Sequence, residues 1–251
     1  MDESLKDTTK RFAEQQYSMF GEIVVTPRSK RPAAPAITTT HDAPTDASPF
    51  RDILSTIPEE WVNAVSLESL EQMISTCQKC PLGQTRTKFV FGVGNPNADI
   101  VVIGEAPGAD EDRTGEPFVG LAGQLLNKIL EAINLRREDV FIANILKSRP
   151  PGNRTPERFE VEQCMPYLYK QLELIRPKFI LALGLTAANT LLGRKAKMGE
   201  LRGEVHDYHG IRVIVTYHPA ALLRNSQWKR PTWEDVQHLR RLYDESRAET
   251  S

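Results

Sequence analysis

The chain has 251 residues, 40% of them hydrophobic, with a formal net charge of −1, enough to bury one good core and still carry a tail. No apolar run approaches the ~20 residues a membrane span needs, and no secretory signal is visible at the N-terminus. Near-neutral charge gives no global sign of a nucleic-acid partner, and three cysteines argue against a disulfide framework and for a reducing, cytoplasmic compartment.

Residues 3–20 carry a thin apolar stripe of Leu5, Phe12, Met19 and Phe20. They read as a helix that either binds a protein partner or frays. From Thr26 to Pro49, five prolines among threonines and alanines make linker composition, extended or disordered. The expected division is an N-terminal helix and Pro-rich linker over 1–60 and a functional domain over 61–251. Helical character resumes over 54–74 and leads into Cys77-Gln-Lys-Cys80. Four short apolar runs follow, at 99–104, 140–146, 179–184 and 211–217. Helical patterns lie between them at 121–134, 156–175 and 185–192, and a last one spans 233–246. This alternation implies an α/β fold with right-handed β-α-β units, three α-β-α layers and a central parallel four-stranded sheet. Such sheets bind ligands outside the carboxyl ends of their strands. Glu105, Asn144, the segment from Arg149 to Arg154, Gly184 and His218 all stand there.

The stretch from Gly104 to Gly123, GEAPGADEDRTGEPFVGLAG, reads as a long strand-to-helix loop. Gly104, Gly108, Gly115 and Gly120 permit backbone approaches that a side chain would block. Backbone N–H groups near Gly120 are a candidate anion site at the start of the next helix. With no Walker A lysine and no G-x-G-x-x-G, nucleotide-cofactor readings are weak. An acid at Glu105 and an aromatic at Phe118 are poor choices for a mere connection. Basic residues group at Lys147, Arg149, Arg154 and Arg158, at Arg194 to Arg202, and at Arg224 to Arg230. Each group also suits a solvated face.

Five motifs together resemble the family 4 uracil-DNA glycosylases, the iron–sulfur members of their superfamily. They are Cys77-x-x-Cys80-Pro-Leu, Gly104-Glu-Ala-Pro-Gly, Pro117-Phe-Val-Gly-x-Ala-Gly, Lys147-x-Arg-Pro-Pro-Gly-Asn-Arg154 and His218-Pro-Ala-Ala-Leu-Leu-Arg224. They occur in the family's order and spacing over residues 70–245. The resemblance implies a DNA-repair enzyme acting on uracil-containing DNA, and the chain is expected to be a monomer. It would hydrolyse the N-glycosidic bond of deoxyuridine and leave an abasic site. No lyase step is implied, since no lysine stands at a matched catalytic position.

By the same resemblance, Phe118 stacks on the flipped base, Asn144 reads its edge, and Gly104 and Ala106 line its site. His218 faces uracil O2, where negative charge develops on cleavage. Asn153 faces the attacking water, and Glu105 is a third catalytic candidate with Asp110, Glu111 and Asp112 as competitors. Leu222, Leu223 and Arg224 resemble the loop that wedges into the duplex. Arg149 and Arg154 are expected on phosphates, so that activity falls with salt. The family holds a 4Fe–4S cluster on four cysteines. Cys77, Cys80 and Cys164 match three of them, and the fourth position is Ser148. A serine ligand, a cluster with one open iron, and loss of the cluster with zinc or nothing in its place all stay open, with a structural cluster expected. Two rivals remain: a uracil-DNA or polymerase-associated binding module without turnover, and a nucleotide-phosphate hydrolase using the 104–123 stretch.

Overall fold

The structure, a computed structural model, describes residues 48–249. The helix expected at 3–20 and nearly all of the linker at 26–49 lie outside the described residues. The described chain opens with α1 (Arg51–Ser55), a 3-10 turn (Glu60–Asn63), α2 (Leu67–Ile74) and α3 (Leu82–Thr85). The helical stretch expected over 54–74 is therefore three short pieces. Pro58 falls between the first two and has no N–H for a helical bond. Ser66 starts α2 afresh, its hydroxyl accepting the Ser69 N–H at 3.1 Å. Phe50 and Leu54 are core residues, and the Phe50 ring stacks on Tyr169 at 5.6 Å. Residues 50–60 thus belong to the compact unit that begins at Pro49, not to the N-terminal segment.

Six strands form one sheet: β1 (Val93–Gly94), β2 (Ile100–Gly104), β3 (Phe141–Asn144), β4 (Phe179–Leu183), β5 (Val205–Tyr208) and β6 (Ile211–Thr216). Helices α4 (Ala109–Thr114) and α5 (Leu121–Glu131) join β2 to β3, and α6 (Arg158–Ile175) joins β3 to β4. Helices α7 (Leu185–Leu191) and α8 (Met198–Leu201) precede β5, while α9 (Pro219–Arg224) and α10 (Lys229–Ala248) follow β6. The strand order is β1-β3-β2-β4-β6-β5. Its four central strands are parallel and are the four apolar runs of the sequence. The antiparallel edges β1 and β5 extend the expected four strands to six.

Alternate strand residues face opposite sides of the sheet. Val101, Ile103, Phe141 and Ala143 join Leu168 and Leu172 of α6 in one cluster, whereas Val102, Ile142, Leu181 and Ile214 are buried on the other face. Burying each such side chain is worth roughly 1.5–3 kcal/mol, so the strand ends are held rigidly. The register sets Gly104 opposite Asn144 and Leu183 opposite Thr216. The carboxyl ends of the central strands therefore finish level. The chain winds outward from β2 to β3, then back over β2 to β4 and β6. That reversal is where such sheets bind ligands.

The 104–123 stretch is not an open loop, because α4 interrupts it. Asp110, Glu111 and Asp112 fill the first turn of α4, where the helix dipole favours acids. Gly115 ends it in the left-handed region at φ 86°.

Candidate active site

A cavity of about 390 Å³ opens where β2, β3 and β6 end. Gly104 closes β2 without a side chain. A Cβ there would lie 2.6 Å from Phe118 Cζ and would also run into the carboxamide oxygen of Asn144. Glycine is what lets these two side chains meet over the strand end. Asn144 is buried, and its Oδ1 accepts no hydrogen bond from the described residues. Leaving a buried acceptor unmet costs about 1–3 kcal/mol, which marks a group kept for something else.

Phe118 sits at φ 54°, a left-handed conformation that non-glycine residues seldom adopt. Arg137 holds it there. Its guanidinium donates to the Phe118 carbonyl at 3.1 Å, to the Pro117 carbonyl and to Asn127 Oδ1 at 3.3 Å. Gly123 makes room for the same turn, since a Cβ there would collide with the Phe118 carbonyl. The Phe118 ring faces that of His218 with centroids 5.5 Å apart and planes 30° apart. Nothing in the sequence singles out Arg137, because two of its partners are main-chain carbonyls about 20 residues away.

His218 caps α9, its Nδ1 accepting the Ala220 N–H at 3.1 Å. Burial, with the Arg224 charge adding to it, pushes the imidazole pKa down to about 4. The ring is therefore neutral near pH 7, and its proton is on Nε2. Gly184, at φ 92°, leaves room for it: a Cβ there would be 3.1 Å from His218 Cβ.

Glu105 and Ala106 line the cavity. The competing acids are engaged in building the loop. Glu111 accepts the N–H groups of Val119 and Gly120 at 3.0 and 3.1 Å on one oxygen and that of Gly108 at 3.1 Å on the other. The anion site expected near Gly120 is thus filled by the chain's own carboxylate. Asp112 accepts the Thr87 N–H at 2.9 Å, and Asp110 faces Arg113 at 3.4 Å. Asn153 also lines the cavity, but at its exposed edge, with Oδ1 accepting from Arg149 Nε at 2.7 Å.

Residues 91–237 match the family model of the uracil DNA glycosylase superfamily. The type-4 uracil-DNA glycosylase of Pyrobaculum aerophilum is 47% identical over 168 residues, 64% of this chain and 86% of the relative. That of Archaeoglobus fulgidus is 45% identical over 185 residues, 70% and 93% of the two chains. That of Thermotoga maritima is 43% identical over 175 residues, 68% and 91%. This chain belongs to the type-4 uracil-DNA glycosylases.

In this type-4 chain Cys77 and Cys80 stand between α2 and α3, and Cys164 stands on α6. Two of the three sulfurs receive hydrogen-bond donors: Cys77 accepts from the Tyr167 hydroxyl at 3.1 Å and Cys164 from the Lys147 N–H at 3.5 Å. Such donors suit cluster-bound thiolates. Among the described residues no three His, Cys, Asp or Glu side chains form a group that would hold a metal ion. Ser148 is buried, and its Oγ accepts from Arg86 Nη1 at 3.1 Å. The same guanidinium donates to the carbonyls of Cys77 and Ser75 at 2.6 and 3.0 Å. Burial pushes the Cys164 thiol up to about 11, so binding through sulfur must displace a proton.

The residues expected on DNA divide. Leu223 is exposed, but Leu222 is buried at 1% exposure, because α9 packs on α5 through that side. Leu222 is therefore a core residue. Arg224 is exposed and lines the cavity. Arg154 is paired bidentately with the buried Glu160 at 2.9 and 2.6 Å, so its charge is largely balanced inside the protein. Lys147 is fully buried, with Nζ donating to the Asn144 carbonyl at 3.0 Å and to Gln171 Oε1 at 2.6 Å. Burial pushes its amine down to about 7. It supports Asn144 from behind rather than contacting phosphate.

Proposed function

We propose that this chain hydrolyses the N-glycosidic bond of deoxyuridine in DNA, releasing uracil and leaving an abasic site. One observation carries the reading: the unpartnered Oδ1 of buried Asn144 stands beside the Phe118 ring and neutral His218 in a single cavity. The target nucleotide leaves the base stack at a cost of a few kcal/mol, and Phe118 offers the base a flat face. Asn144 Oδ1 accepts uracil N3–H while the amide donates to O4. Cytosine presents the opposite pattern at both places. A site that leaves its buried polar groups unpaired rejects the wrong base by roughly 10⁴ or more.

His218 donates from Nε2 to uracil O2. Charge appears there only as the bond breaks, which is where stabilisation accelerates the step. Glu105 supplies the carboxylate that faces the cationic sugar and accepts the proton of the attacking water. This reading moves weight from Asn153 to Glu105, because Asn153 is exposed and its oxygen already accepts from Arg149. Asn153 holds the water or sugar at the mouth through its amide. Lys147 is enclosed behind Asn144, which supports hydrolysis without a lyase step. Cys77, Cys80 and Cys164, with Ser148 at the fourth position, are the residues that would hold an iron–sulfur cluster. When bound, it supplies a structural cross-link between the α3 turn and α6.

The test is an excision assay on a labelled oligonucleotide carrying one uracil, with EDTA present and alkaline cleavage at abasic sites. A uracil-dependent cut that is lost in His218→Ala and Asn144→Ala supports the reading. Tight binding of uracil-DNA without any cut by folded, iron-loaded protein would move the assignment to a binding module.

A further inference from the structure

Among the described residues six large hydrophobic side chains are exposed, and three of them are chain neighbours of residues that line the cavity or abut its His218. Leu121 is 70% exposed and precedes Ala122, a lining residue. Leu223 is 52% exposed and precedes Arg224, another. Leu185 follows Gly184, which abuts His218. A single exposed leucine needs no explanation, but apolar side chains grouped at one mouth do. Leu121 is the most exposed of the three. It opens α5, directly after the turn that carries Phe118, and α5 packs on α9, the helix that presents Leu223.

We propose that Leu121 is a second apolar contact to duplex DNA, acting with Leu223 on the base stack beside the flipped uridine. The proposal rests on the excision reading, since a nucleotide that enters the cavity brings its neighbours onto this rim. When a base leaves the stack, its neighbours lose a stacking surface, and apolar side chains at that gap replace it. Leu223 sits on the α9 side of the mouth and Leu121 on the α5 side. The exposed Arg224 adjoins Leu223 and is placed to meet the phosphate that such a contact brings close. Both leucines are already solvent-facing, so the contact requires no unfolding of core. The benefit applies where there is a stack to invade, and is small on single strands.

The experiment compares single-turnover excision from a duplex with one U·G pair and from the same uracil strand alone. Leu121→Ala is expected to lower the duplex-to-single-strand rate ratio about ten-fold, equal to about 1.4 kcal/mol. Leu121→Met should restore most of it. Leu121→Ala with Leu223→Ala should lower the ratio further than either change alone. An unchanged ratio for Leu121→Ala, or equal loss on both substrates, overturns the proposal. If the wild-type protein excises from neither substrate, the excision reading fails first. If it excises from both and Leu121→Ala keeps the wild-type ratio, this proposal alone fails.

Discussion

Gly104 and Asn144 are register partners at the ends of β2 and β3, and a methyl group on Gly104 would claim the space of the Asn144 carboxamide oxygen. Phe118 presses on the same point from the other side. Gly104→Ala must therefore displace the base-reading amide or the stacking ring. A misplacement near 1 Å costs on the order of 10²-fold in rate, and overpacking costs roughly 1–3 kcal/mol of stability. Single-turnover excision should fall about 100-fold in a protein that still folds. Gly199→Ala, where a Cβ meets nothing within 4 Å, should leave the rate unchanged. Wild-type rates in Gly104→Ala would mean that the strand-end contact does not position the site.

The second prediction concerns pH. His218 accepts the Ala220 N–H through Nδ1, so protonation would set two donors against each other and break the cap of α9. Its pKa is lowered on folding from 6.5 to about 4. Between those values the unfolded chain binds the proton and the folded chain does not. The stability tied to this group is complete above about pH 6.5 and is lost as pH falls toward about 4. The His218-dependent rate should stay level from about pH 8 to about pH 5 and drop only near pH 4. NMR of the imidazole nitrogens should find the Nε2–H form throughout that range. Titration between about pH 6 and 7 would contradict the assignment.

Why some of this was legible and some was not follows from particular residues. Val101 to Ile103, Phe141 to Ala143 and their counterparts lie in a parallel sheet covered on both faces, so they form unbroken apolar runs that show in the sequence. The edge strands do not. Val93–Gly94 is two residues long, and Val205–Tyr208 carries His206 and Asp207 on a partly exposed strand. Asn144, Phe118 and His218 stand in or beside the motifs, and their convergence follows from strand ends finishing level. Glu111 reads in the sequence as a rival to Glu105, although its spacing from Gly108 is that of a helix-capping acid. Lys147 looked like one more surface cation. Its burial depends on Gln171, 24 residues away, and no local pattern announces that pairing.

Ser148 sets the third prediction. Its hydroxyl is held by Arg86 next to Cys77, at the position where the resembling family has its fourth cysteine. With three thiolates, the cluster should be oxygen-labile, bleaching in the visible spectrum within hours of exposure to air. Ser148→Cys completes the usual set of four thiolates and should slow bleaching several-fold, with more iron retained per chain. Equal bleaching rates would make Ser148 as good a ligand as cysteine. Wild-type protein that takes up no iron on anaerobic reconstitution would remove the cluster from this chain.

Arg154 and Arg224 provide the last prediction, because the structure separates two arginines that look alike in the sequence. Arg154 is held by Glu160, whose side chain is 2% exposed, and that partnership holds the Glu160 carboxyl below its usual range. Removing one member of such a pair strands the other. Arg154→Ala should lower the urea midpoint, because the Glu160 carboxylate loses its partner, with little change in the salt dependence of DNA binding. Arg224 is exposed at the mouth of the cavity and is free to meet phosphate. Arg224→Ala should leave the urea midpoint nearly unchanged and reduce the slope of log K against log salt by about 0.9, the loss of one phosphate contact. If Arg154→Ala instead reduced the slope by that amount without loss of stability, Glu160 would be releasing Arg154 when DNA binds.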